Sequence, residues 1–156
     1  MNRVLVSYFS ASGVTEKVAE KIANVFNADL FKIDPVEEYT EYDLDWRDKK
    51  SRSSKEMQDK SSRPKIKNKV SNIDDYDIVF LGFPVWWFTA PTIINTFIEE
   101  NNLTGKKIFV FVTSGGSNSE GSFKNLKNEY KDLNFISSKR FFGNESDEEI
   151  RQWANF

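Results

Sequence analysis

The chain has 156 residues, 38% of them hydrophobic and 15% aromatic, which is enough for one domain with a substantial core. A formal net charge of -2 is too small to point to nucleic acid, and the absence of histidine and cysteine excludes the commonest general base, thiol nucleophiles, disulfides and thiolate-held metal centres. No stretch approaches the roughly 20 apolar residues of a membrane span, and the N-terminus runs straight into a strand pattern, so a soluble cytoplasmic protein without a membrane partner is expected.

Residues 3–9, RVLVSYF, read as a first strand, and 15–26, TEKVAEKIANVF, as a helix with Val18, Ile22 and Phe26 along one stripe. DLFKI at 29–33 is a second strand. Charge then falls in blocks: residues 34–45 carry six acids and no base, and residues 47–69 ten bases against three acids. A solvated face of weakly paired charges accounts for this, and so does a docking patch for an acidic partner or a nucleotide phosphate. Within the blocks, 42–60 has few apolar anchors and reads as a weak helix, followed by an exposed connection broken at Pro64. YDIVFLGFP at 76–84 is a buried strand, and 91–101 a helix with Pro91 in its first turn. KKIFVFVTS at 106–114 is a fourth strand; a helix at 119–130, a short strand within 134–142 and a helix at 146–155 complete the pattern.

Apolar strands alternating with helices predict a parallel sheet covered on both faces and joined by right-handed crossovers. Ligands of such sheets sit beyond the carboxyl ends of the strands. The loops 10–15, 84–91 and 113–122 therefore converge, and they are the three most unusual stretches of the chain. In the first, Gly13 permits a left-handed backbone, Ser10, Ser12 and Thr15 offer hydroxyls, and the following helix points its free amides at the same spot. That suits a phosphate held by neutral donors, since no lysine or arginine is present; alternatively, Ser12 or Thr15 only caps the helix. The second loop sets Trp86, Trp87 and Phe88 at a ligand-facing rim, either as a stacking platform or folded back onto the core. In the third, Gly115 and Gly116 let backbone amides approach heterocycle carbonyls.

Together the motifs S-x-S-G-x-T, G-F-P-V-W-W and T-S-G-G-S, in this order, resemble those of the flavodoxin family, over essentially the whole chain. The resemblance implies a single α/β domain, 1–156, with a five-stranded parallel sheet in the order 2-1-3-4-5 and helices on both faces. It also implies noncovalent FMN, with the phosphate at Ser10, Ala11, Ser12, Gly13, Val14 and Thr15. The ring would lie between Pro84, Val85, Trp86, Trp87 and Phe88 on one side and Thr113, Ser114, Gly115, Gly116 and Ser117 on the other, with Gly121 and Ser122 nearby. Either Trp86 or Trp87 stacks on it or flanks it. Relatives often carry tryptophan in place of Ala11, asparagine in place of Val14 and glycine in place of Phe88. In flavodoxins a peptide of the second loop turns over on one-electron reduction, and a left-handed cost of roughly 1–2 kcal/mol at Phe88 implies a tilt toward two-electron transfer.

Two roles are compatible with the resemblance. One is a low-potential electron carrier, monomer or weak homodimer, between a reductase and an acceptor protein, favoured by a chain near the minimum size for the fold. The other is an FMN-dependent oxidoreductase passing electrons from NAD(P)H to a quinone-like acceptor, with the basic block at 47–69 holding the donor's phosphate and Tyr42 or Trp46 covering the ring. A third possibility keeps the fold and has lost the flavin. In each case no side chain is expected to be catalytic, and no metal is implied.

Overall fold

The computed structural model describes residues 3–156. Strands β1 (Val4–Tyr8), β2 (Asp29–Lys32), β3 (Ile78–Pro84), β4 (Lys107–Thr113) and β5 (Asn134–Arg140) form one parallel sheet in the order β2-β1-β3-β4-β5. Helices α1 (Val14–Phe26), α2 (Arg52–Gln58), α3 (Thr92–Glu100) and α4 (Glu120–Glu129) lie in the connections between them, and α5 (Asp147–Trp153) follows β5. The fold class is therefore the one expected.

Side chains alternate across the sheet. Val4, Val6 and Tyr8 of β1, Ile78 and Phe80 of β3, and Phe109 and Phe111 of β4 pack beneath α1 and α5 against Val18, Ile22, Ile150 and Ala154. Leu5, Val79, Leu81, Phe83, Ile108, Val110 and Val112 face the other way, onto Ile93, Ile94 and Phe97 of α3 and Leu126 of α4. Both faces of the central strands are thus spent on the core, which is why these segments read as continuous apolar runs. Gly82 has no side chain because a Cβ there would run into the Phe111 ring.

The 42–60 segment departs from the expected single helix: only Arg52–Gln58 is helical. Short polar side chains hold the preceding residues in turns instead. Thr40 and Asp43 exchange side-chain-to-amide bonds at 2.9 and 3.2 Å, Asp45 accepts from the Arg47 amide, and Asp48 accepts from the Lys50 amide. Such local bonds compete with the helical ladder. Pro91 sits one residue earlier than expected, as the cap of α3 with ψ 145°, outside the helix proper. Among the described residues no helix is long and apolar enough to cross a membrane.

Candidate functional site

The carboxyl ends of β1, β3 and β4 bring the three loops to one edge. After β1, Gly13 caps α1 with φ 93°, the left-handed geometry its lack of a Cβ allows, and no side chain crowds it. Neither Ser12 nor Thr15 caps the helix. Ser10 does so from farther back, its Oγ accepting the Gly13 and Glu16 amides at 3.1 and 3.2 Å. The other first-turn amides have no partner within the helix, so they and the positive end of its dipole face outward. Thr15 is buried, and its hydroxyl is shared with that of Thr113 at 2.7 Å, so it locks the loop to the end of β4. Ser12 and Val14 are exposed, and Ala11 packs on the core. Tyr8 donates its hydroxyl to Glu16 at 3.0 Å; burial first, and then this carboxylate, push its phenol pKa well above the usual range and keep it a donor.

After β3 the chain makes a two-residue hairpin. The Trp86 amide donates to the Thr89 carbonyl at 2.9 Å, and the Thr89 amide donates back to Trp86 at 3.0 Å. Trp87 and Phe88 at its tip have φ 51° and 66°. Two successive positive φ values make this a primed turn, which normally takes Asn-Gly, and each bulky residue there costs about 1–2 kcal/mol. Phe88 therefore already holds the left-handed geometry in the flavin-free chain, so its cost does not by itself tilt the protein toward two-electron transfer.

The two tryptophans differ in role. Trp86 turns inward, edge-on to Phe9 at 5.7 Å and to Tyr39 at 5.5 Å, whose hydroxyl is bonded to Glu56 at 2.6 Å. Trp87 is 41% exposed and Phe88 78%. Trp86 thus combines both readings of the loop: its ring edge rests on the core while it still lines a cavity.

That cavity, about 720 Å³, is lined by Val85, Trp86, Trp87 and Phe88 on one side and Ser114, Gly115, Gly116 and Ser117 on the other. Pro84 and Thr113 end their strands behind this lining, paired with each other in register. Gly121 lies under the Phe88 carbonyl, and Ser122 is fully buried. Of the two glycines expected to present amides to a heterocycle, Gly116 has its amide satisfied within the loop, since it and Ser117 both donate to Ser114 Oγ, at 3.0 and 2.6 Å. A third wall comes from the turns before α2 and from its first turn: Leu44 and Trp46, then Ser53. Trp46 is one of the two residues expected to cover a ring; Leu44 and Ser53 carry no local signal, because only the Asp-stabilised turns bring them here. No charged side chain lines the cavity among the described residues. Arg140 reaches the back of this lining, its Nη2 donating to the Ser114 carbonyl at 3.1 Å.

Aromatic walls, hydroxyls and no charge suit a flat neutral heterocycle, and the neighbouring amide cluster at α1 suits a phosphate. A model of the flavodoxin family matches residues 3–156. The chain belongs to the flavodoxin family. It is similar to the crystal structures of candidate flavoproteins from Bacteroides eggerthii, at 47% identity and TM-score 0.96 over 98% of this chain and 96% of that one, and Bacteroides uniformis, at 41% and 0.91 over 97% of each. A flavoprotein from Lactobacillus acidophilus solved in complex with FMN is 25% identical, with TM-score 0.78 and 99% of both chains covered. No curated protein matches the chain.

Proposed function

We propose that this flavodoxin binds FMN at the sheet edge and works as a low-potential electron carrier between redox proteins. The observation that carries the reading is the uncharged aromatic cavity, joined through the Thr15–Thr113 bond to the opening turn of α1, whose Val14 and Thr15 amides have no partner within the helix. Bound FMN would supply the electron transfer itself. The amides opening α1, with the hydroxyls of Ser10 and Ser12, hold the phosphate through neutral donors, while the Thr15–Thr113 bond fixes that loop relative to the ring pocket. Val85 and Trp86 form a floor braced by Phe9 and Tyr39, and Trp87 and Phe88 shade the mouth.

A second reading, an FMN-dependent NAD(P)H:quinone-type oxidoreductase, draws on the third wall. Trp46 is 67% exposed yet lines the cavity, as a cover for a second flat molecule would. Calorimetry with FMN tests the common part: the expected result is one equivalent bound with micromolar or tighter affinity, and absence of heat overturns both readings. Loaded protein that is reduced only through a reductase protein supports the carrier, whereas direct steady turnover of NADPH with a quinone supports the enzyme.

A further inference from the structure

The strained turn at the cavity mouth needs something to hold it. Its two reciprocal backbone bonds close the hairpin but do not fix how its tip leans. That is decided against α4. The Phe88 carbonyl oxygen lies 2.9 Å from the place a Cβ on Gly121 would occupy, so only glycine lets the carbonyl settle over the first turn of α4, at the positive end of the helix. One turn farther along, Asn125 Nδ2 donates to Thr89 Oγ1 at 3.0 Å. Positions four apart share a helix face, so α4 offers the turn a notch and a tether side by side.

We infer that Gly121 and Asn125 are positioning residues, a seat on α4 that holds the Trp86–Thr89 hairpin and thereby sets how Trp87 and Phe88 stand over the ligand. The seat is a property of the flavin-free chain; only the identity of the ligand rests on the proposed function. When a side chain is forced in at residue 121, one partner must move. α4 is anchored in the core through Leu126, with Phe123 packed against the same cluster, whereas the turn already carries two left-handed aromatic residues, so the turn yields.

Gly121→Ala tests this in the full chain, alone and combined with Phe88→Gly. Helix propensity by itself makes alanine stabilising. A seat reverses the sign: Gly121→Ala lowers the flavin-free melting temperature by about 3 °C or more, and the same substitution made in the Phe88→Gly background, where the turn is free to shift, lowers it much less. FMN affinity falls about tenfold in Gly121→Ala and by a smaller factor in Asn125→Ala, a change too mild to unfold the helix. A rise in melting temperature on Gly121→Ala, or the same loss with and without Phe88→Gly, overturns the seat. If FMN fails to bind the parent chain, the proposed function falls, and the flavin-free melts still decide the seat.

Discussion

Thr15 and Thr113 meet across the end of the sheet with their hydroxyl oxygens 2.7 Å apart, both almost fully buried. Neither can turn to water if its partner is lost. Thr15→Val or Thr113→Val alone is expected to destabilise the fold by about 1–3 kcal/mol in urea unfolding, whereas the double substitution, which leaves no orphaned hydroxyl, costs much less than the sum. Additive losses would count against this bond. Gly82 makes a similar prediction in the core. Gly82→Ala puts a methyl into the Phe111 ring and is expected to cost about 1–3 kcal/mol or more, partly recovered by Phe111→Leu. The role of Ser10 shows why such details escape a sequence reading: three hydroxyls near the start of α1 look equivalent in the string, but only Ser10 bends back over Gly13 to take two amides.

α2 is the helix least supported by its own sequence, with seven residues and no apolar stripe. It exists because Ser51 caps it, accepting the Ser54 amide, and because Arg52 is engaged on several sides: the Glu56 carboxylate at 2.9 Å, the Glu37 carbonyl at 2.6 Å and the Tyr39 ring at 3.8 Å. Ser51→Ala should remove about 0.5–2 kcal/mol of local stability, read as faster amide exchange across residues 52–58 and a loosened Trp46 wall, with β1, β3 and β4 still protected. Equal loss of protection throughout would mean that α2 opens only with the whole fold. This stretch was the least legible part of the chain, because its conformation is decided by aspartate turns and by contacts with residues far away in sequence. The central strands were legible because their alternation is dictated by burial on two faces, which a one-dimensional pattern records directly.

Beyond single elements, the connection after α2 is tied to α3 and α4 through Glu99. Arg63 grips its carboxylate with Nε and Nη2, both at 3.0 Å, and Tyr130 donates to it at 2.6 Å. The Arg63 bond, helped by Tyr130 and opposed by partial burial, holds the Glu99 pKa below its ordinary value. Because the folded pKa is the lower one, the stabilisation is complete above the unfolded glutamate value of about 4.3 and fades as pH falls from there through the folded pKa. Glu99→Gln should therefore melt lower than the parent at neutral pH, with the gap closing on acidification; a gap independent of pH would refute the linkage. The parallel sheet and the meeting of three loops at one edge could be read from the string, and the order of the strands followed from the family resemblance. What could not be read was the third wall, since Leu44 and Ser53 reach the cavity only through the fold of 40–53. That wall gathers three of the four tryptophans, Trp46, Trp86 and Trp87, around one cavity, with Trp153 on the opposite face of the sheet. The molecule thereby carries a built-in optical reporter: a planar chromophore entering there would quench the emission of the indoles that line the cavity.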